Sequence, residues 1–155
     1  MGSWKDFKEG RGESLDDSAP RLKLLIIDDE EKILESLTEV FRDRFVVLTA
    51  HSADEARGVF EKENPELLLS DQRMPGTTGI DFLKEVKDRE PGTIRMLITG
   101  YSDIDAVIEA VNHQVLYRYI AKPWKNEDLV ELVMSGARKW LEDSGLEGPS
   151  RQLYF

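Results

Sequence analysis

Short apolar runs alternate with amphipathic segments five times along this chain, and this alternation limits the fold more than any other feature. Strands that alternate with helices are typical of parallel sheets with right-handed crossovers. Continuous apolar strands indicate a sheet covered on both faces. The predicted strands span 22–27, 45–50, 67–71, 94–99 and 117–121. The first predicted helix spans 30–43 and the last 125–141, and the three between them carry their apolar residues within 53–60, 80–86 and 104–111. The sequence therefore predicts an α/β fold of (βα)5 order.

The alternating region predicts one domain over 21–141, because a chain of 155 residues can bury one core of useful size. Residues 1–20 lack apolar periodicity and predict a flexible N-terminal tail, while 142–155 predict a C-terminal tail or an expression remnant. Ser52 is in position to cap the second helix, and Ser102 or Asp103 to cap the fourth.

Composition narrows the class of protein. The chain has neither a secretory h-region at its start nor a run near the roughly 18 apolar residues of a membrane span, so we expect it in the cytoplasm. It contains no cysteine, which excludes disulfides and thiolate metal sites. A net charge of −10 disfavours direct binding to nucleic acid or to anionic membranes.

Polar residues end four of the predicted strands. Asp28 and Asp29 close the first strand, Asp71 the third, Thr99 the fourth and Lys122 the fifth. The carboxyl ends of parallel strands share one edge of a sheet, where ligands of open α/β folds bind. We therefore expect these side chains to meet in one pocket.

Three carboxylates in one pocket need compensating charge. Two unit charges about 4 Å apart repel by about 4 kcal/mol at an effective dielectric of about 20. Lys122 offsets one of the three, and the remainder suits Mg²⁺, which prefers oxygen ligands. His51 and His113 join no ligand motif and are predicted to be surface or structural residues.

Asp71 is the best candidate for a nucleophile, because it precedes a glycine-containing loop on a strand that reads as central. A carboxylate whose charge is offset can attack a phosphoryl group held in line. The hydroxyl of Thr99 and the ammonium of Lys122 would then contact phosphoryl oxygens.

Four segments in this order closely resemble the receiver domain of bacterial two-component response regulators, of the chemotaxis-regulator type. They are LLIIDDEEKI at 24–33, LLLSDQRMPGTTG at 67–79, RMLITGYSD at 95–103 and YRYIAKPW at 117–124. The resemblance implies a flavodoxin-like, three-layer sandwich with a five-stranded parallel sheet in the order 2-1-3-4-5.

The resemblance also implies a role for each matching residue. Asp71 would be the phosphoacceptor, with Thr99 as the switch hydroxyl and Lys122 as the phosphate-binding lysine before a cis proline. The implied Mg²⁺ ligands are Asp28, Asp29, Asp71 and the backbone carbonyl of Arg73. The implied switch and interface residues are Thr99, Tyr119, Tyr101 and Trp124.

By this resemblance the chain is a phosphoacceptor that can dephosphorylate itself and not a turnover enzyme. A sensor histidine kinase would supply the phosphoryl group, and an output domain or separate protein would respond to it. Homodimerisation through the fourth helix, last strand and last helix is common in relatives. The chain is expected to be a stand-alone receiver or an excised part of a longer regulator.

Two departures from the family and three alternative functions stay open. Gln114-Val115 stands where many receivers carry Gly-Ala, and Arg73 places a long cation two residues after the acceptor. A haloacid-dehalogenase-type phosphatase would carry an Asp-x-Asp nucleophile motif on its first strand, which this chain lacks. A nucleotide- or flavin-binding module would need a glycine-rich phosphate loop. A degenerate receiver would lack part of the five-residue set.

Overall fold

The computed structural model describes residues 21–145. The predicted N-terminal tail, 1–20, and residues 146–155 of the predicted C-terminal tail lie outside the described residues. Five parallel strands form one sheet in the order β2-β1-β3-β4-β5, which confirms the predicted flavodoxin-like topology. The strands are β1 Lys23–Ile27, β2 Val46–Ala50, β3 Leu67–Asp71, β4 Ile94–Thr99 and β5 Arg118–Ala121. The helices are α1 Glu31–Phe41, α2 Ala53–Glu63, α3 Gly79–Arg89, α4 Ile104–Asn112 and α5 Asn126–Ser144.

Both faces of the sheet are covered by helices. Side chains alternate along β1, so Leu24 and Ile26 pack with α1 and α5, while Leu25 and Ile27 pack with α2, α3 and α4. All four side chains are at most 1% exposed. Burying a side chain of this size contributes about 1.5–3 kcal/mol. The predicted three-layer sandwich is therefore confirmed, with one core on each side of the sheet.

Two helices begin at side-chain caps. The hydroxyl of Ser52 accepts a hydrogen bond from the Glu55 amide at 3.1 Å, which confirms the predicted start of α2. The hydroxyl of Thr78 accepts one from the Asp81 amide at 3.2 Å at the start of α3. Such caps satisfy amides that have no partner within the helix and fix where the helix begins.

The start of α4 and the end of α5 differ from the prediction. A 3₁₀ turn, Tyr101–Asp103, precedes α4, and neither Ser102 nor Asp103 caps it with a side chain. Helix α5 continues past residue 141 to Ser144, where Gly145 adopts a φ of 77°. The C-terminal tail predicted from residue 142 therefore begins as helix.

The connection between α4 and β5 contains a left-handed residue. Gln114 has a φ of 60°, a region that favours glycine, at the position where many receivers carry Gly. The buried guanidinium of Arg95 on β4 holds this turn, donating to the carbonyl of Gln114 at 3.2 Å and to that of Val115 at 2.8 Å. The same guanidinium reaches the carbonyls of Thr93 and Pro91. Backbone carbonyls thus satisfy a buried arginine that has no carboxylate partner among residues 21–145.

None of the helices between residues 21 and 145 combines the length and apolarity needed to cross a bilayer.

Candidate metal and phosphoryl-acceptor site

Three carboxylates meet at the carboxyl edge of the sheet, as the strand-end pattern predicts. One oxygen each of Asp28, Asp29 and Asp71 lies within 4.8 Å of the other two. Asp28 is 4% and Asp71 3% exposed, whereas Asp29 is exposed. The backbone fixes Asp28, because its amide donates to the Ala50 carbonyl at 3.1 Å and its Oδ1 accepts from the Glu30 amide at 2.9 Å. Strand ends from β1 and β3 therefore place two buried acids side by side.

Burial disfavours the ionised form of Asp28 and of Asp71. Loss of hydration raises the pKa of Asp28 to about 6, and the neighbouring charges of Asp71 and Asp29 add to the rise. Loss of hydration also raises the pKa of Asp71, against the opposing effect of Lys122. A cation held between these carboxylates would relieve both their desolvation and their mutual repulsion.

Lys122 brings a positive charge to the cluster. Its Nζ lies 2.7 Å from Oδ1 of Asp71, and that buried oxygen has this ion pair but no aligned hydrogen bond. Burial opposes the charged form of Lys122, but the contact with Asp71 and the charges of Asp28 and Glu30 outweigh it and raise the pKa of Lys122. One ammonium among three carboxylates leaves the cluster negatively charged. The atoms that could bind a metal are all carboxylate oxygens, so the cluster fits a hard divalent cation such as Mg²⁺.

Thr99 lies at the same edge, at the end of β4. It is 2% exposed, and its hydroxyl donates to the Gly100 carbonyl at 3.3 Å. The amide of Lys122 donates to the Thr99 carbonyl at 2.8 Å, and the Lys122-Pro123 peptide is cis, as the resemblance implies. The β4–β5 pairing therefore places Thr99 and Lys122 at the same edge of the sheet.

The predicted switch residues lie on opposite faces of the sheet. Tyr119 pairs with Leu97, which belongs to the core on the α4 side, and is 39% exposed. Tyr101 is 81% exposed in the 3₁₀ turn before α4. Trp124 is half-buried and packs against the core on the α1 and α5 side. The two tyrosines are thus exposed, while Trp124 anchors the loop after β5. Their role in a switch stays a prediction.

Arg73 does not direct its side chain into the acid cluster. Its exposed guanidinium pairs with Asp103 at 3.1 Å and also donates to the Ser102 hydroxyl at 3.2 Å. The role of its backbone carbonyl as a metal ligand stays a prediction. His51 is exposed as predicted, yet it is not isolated, because it contacts Glu31 and Glu55.

Sequence reasoning did not assign two residues that shape the acceptor site. A Cβ on Gly79 would lie 2.3 Å from the backbone oxygen of Asp71, so only glycine lets α3 approach the end of β3 this closely. The buried Gln72 closes the same corner, since its Oε1 accepts from the Ile80 amide at 2.8 Å and its carbonyl from the Gly79 amide at 3.0 Å. A glycine at the first position of a helix was the available signal for this contact.

Known proteins are similar to this chain in sequence. The response regulator receiver domain family matches residues 24–134. The hydrogenase transcriptional regulatory protein HoxA of Cupriavidus necator is 41% identical over 130 residues, which cover 84% of this chain and 26% of that protein. The DNA-binding transcriptional regulator NtrC of Klebsiella pneumoniae is 33% identical over 109 residues, covering 70% of this chain and 23% of NtrC. The chain thus spans about a quarter of the length of these relatives.

Solved structures agree with the sequence relatives. A response regulator receiver domain protein from Clostridium thermocellum superposes with a TM-score of 0.72 at 29% identity, covering 81% of this chain and 99% of that one. A CheY-like receiver domain protein from Methanospirillum hungatei gives a TM-score of 0.75 at 26% identity, with coverage of 80% and 99%. From its sequence, its fold and its strand-end acids, this chain belongs to the response regulator receiver domain family.

Proposed function

We propose that Asp71 accepts a phosphoryl group from a sensor histidine kinase and that Mg²⁺ is required for the transfer. The observation that carries this proposal is the buried Asp71 carboxylate, 2.7 Å from the Lys122 ammonium and clustered with Asp28 and Asp29. An oxygen of Asp71 would attack phosphorus, forming a P–O bond while the P–N bond to the donor histidine breaks. The residues that would hold Mg²⁺ are Asp28, Asp29, Asp71 and the carbonyl of Arg73.

The other residues of the cluster would stabilise the transferred group. Bound Mg²⁺ would supply positive charge that stabilises the phosphoryl oxygens during the transfer. Lys122 already lies beside Asp71 and would pair with a second oxygen once the phosphoryl group is in place. Thr99 would turn its hydroxyl from the Gly100 carbonyl to a phosphoryl oxygen. We expect a signalling module that can dephosphorylate itself, and not a turnover enzyme.

The phosphorylated domain would signal through the surface around α4 and β5. Tyr101, Ile104, Ile108, Val111 and Tyr119 are all exposed there. Movement of Thr99 toward the phosphoryl group would open space for Tyr119 to turn inward, shifting the population between two packings. An output region, a separate protein or a second copy of the chain would read the changed surface. We place this activity in the cytoplasm and assign the domain no direct contact with nucleic acid or membrane.

Phosphate incorporation tests the acceptor assignment. With acetyl phosphate and Mg²⁺, the wild type should gain one phosphoryl group by intact-mass measurement, and Asp71→Asn should gain none. Asp88→Asn, at an exposed position on α3, is the matched control and should label like the wild type. Labelling that persists in Asp71→Asn would refute the assignment, and sustained hydrolysis of an aryl phosphate would favour a phosphatase instead.

Amide exchange tests the switch. Residues 100–125 should change protection when beryllofluoride and Mg²⁺ are added, and strand β1 should not. Unchanged exchange over 100–125 in protein that binds beryllofluoride would contradict the proposed surface.

A further inference from the structure

An ion pair joins the loop after the acceptor to the start of α4. Arg73 Nη2 lies 3.1 Å from Oδ1 of Asp103, and Arg73 Nε lies 3.2 Å from Oδ2. The same guanidinium donates to Ser102 at 3.2 Å. The Asp103 side chain is 14% exposed, whereas that of Arg73 is 69% exposed. The fork of the guanidinium therefore holds both carboxylate oxygens of a mostly buried acid.

Asp103 occupies the position of a helix cap but does not act as one. It directly precedes α4, yet its φ of −108° and ψ of 12° differ from the extended backbone of a capping residue, and its side chain caps no amide. Ser52 and Thr78, at the same position before α2 and α3, are extended and do cap. Asp103 is the last residue of the 3₁₀ turn that leads into α4, and its amide donates to the Gly100 carbonyl at 3.3 Å. In this backbone conformation its carboxylate pairs with Arg73 and not with an amide of the helix, although aspartate is among the best capping residues.

The carboxylate of Asp103 pairs with Arg73 in this structure. A capping carboxylate at this position would instead accept from the amides of Asp105 or Ala106 in the first turn of α4. A partly exposed ion pair changes an equilibrium by up to about fivefold, and an N-terminal cap by about fivefold. Because both effects are small, a change in charge near Arg73 is large enough to decide which of the two interactions forms.

We propose that Arg73 is a positioning residue that holds Asp103 away from α4, and that phosphorylation of Asp71 releases Asp103 to cap the helix. The release step rests on the proposed function of Asp71. Freed from Arg73, Asp103 would take an extended backbone and order the first turn of α4. The occupied acceptor would in this way stabilise the start of the helix that carries Ile104 and Ile108.

Charge and reach support the release. A phosphoryl group adds about −1.5 to −2 units of charge, and guanidinium binds phosphate in a bidentate manner. The Cα atoms of Asp71 and Arg73 are at most about 7.6 Å apart, since consecutive Cα atoms are about 3.8 Å apart. A long arginine side chain spans that distance, so the new charge at Asp71 competes directly with Asp103 for Arg73.

The first experiment needs no phosphoryl analogue. Amide exchange at Asp105 and Ala106 should slow by roughly three- to tenfold in Arg73→Gln, because Asp103 is then free to cap. The double variant Arg73→Gln/Asp103→Ala should return to the wild-type rate. Arg89→Gln, which breaks an exposed ion pair with Glu61 on α2, is the matched control and should change neither amide. Unchanged exchange in Arg73→Gln would overturn the proposal.

The second experiment tests the release. Beryllofluoride with Mg²⁺ should slow exchange at Asp105 and Ala106 in the wild type, while Asp103→Ala should bind the analogue, as followed by fluorine NMR, without this slowing. Equal slowing in both proteins would overturn the release step. Failure of the wild type to bind beryllofluoride would instead refute the proposed function and the release with it, and the Arg73→Gln result would still decide whether the ion pair displaces the cap.

Discussion

Thr78 caps α3 at the end of the loop that follows β3, whereas α4 begins without a side-chain cap, after a 3₁₀ turn that follows β4. Strand β3 has five buried residues, while the residues of β5, the strand after α4, are exposed or half-buried. We call residues 23–29 and 67–89 the acceptor side and residues 100–121 the response side. On the acceptor side, backbone and side-chain contacts determine each position around Asp71. The response side leaves Tyr101, Ile108 and Tyr119 exposed. The first arrangement suits placement of reacting groups, and the second suits a change of conformation at low energetic cost.

Glycine substitutions should separate the two sides most strongly. In Gly79→Ala the new Cβ would meet the Asp71 backbone oxygen at 2.3 Å, so we expect a loss of about 2–3 kcal/mol in the free energy of unfolding. Gly100→Ala meets nothing within 4 Å and has a φ of −95°, so it should change stability by less than about 0.5 kcal/mol. Urea titrations of both variants provide the measurement, and similar losses would contradict the comparison.

The pH dependence of stability should report the buried acids of the acceptor side. The folded protein holds the Asp28 proton more tightly than the unfolded chain does, since the pKa rises from 3.8 to about 6. Without Mg²⁺, stability should therefore increase as pH falls from 7 to 5, by about 1 kcal/mol. Added Mg²⁺ should stabilise the protein at pH 7 and have less effect at pH 5, because its carboxylate ligands must be ionised.

A background variant isolates this effect. Contacts with Glu31 and Glu55 raise the pKa of His51, so its stabilising charge is lost as pH rises and gives a dependence of the same sign. Urea titrations should therefore use His51→Gln, with and without Asp28→Asn. If the slope between pH 5 and 7 is equal in the two proteins, Asp28 is not its source.

The difference between the two sides also explains what could be predicted from sequence. The position of strand-end acids such as Asp28 and Asp71 could be predicted from the alternation of strands and helices. That alternation indicates parallel strands, whose carboxyl ends lie at one edge of the sheet. The cap at Ser52 was predictable for a different reason, because it depends only on neighbours in the sequence. The partner of Asp103 could not be predicted in this way. The local sequence pattern favours a helix cap, but Arg73, 30 positions away, binds the carboxylate. Long-range competition of this kind leaves no trace in a local window.

Removing the cap residues should sharpen the contrast between the two helices. Thr78→Ala should cost about 1 kcal/mol in the free energy of unfolding, because the Asp81 amide loses its partner. Asp103→Ala should cost about 0.5 kcal/mol or less, since it removes an exposed ion pair and no cap. Chemical denaturation at fixed pH compares them, and a larger loss for Asp103→Ala would show that the carboxylate already caps α4.

A small gain in stability is expected from one substitution on the response side. Gln114 holds a φ of 60°, which costs a non-glycine residue about 1 kcal/mol, and the hydrogen bond from Arg95 to its carbonyl does not involve its side chain. Gln114→Gly should relieve this strain and stabilise the protein by about 0.5 kcal/mol, after the greater freedom of glycine in the unfolded chain is subtracted. Gln114→Ala keeps the strain and should give no gain. Equal stability of the glycine and alanine variants in urea titrations would mean that Arg95, and not backbone strain, determines the stability of this turn.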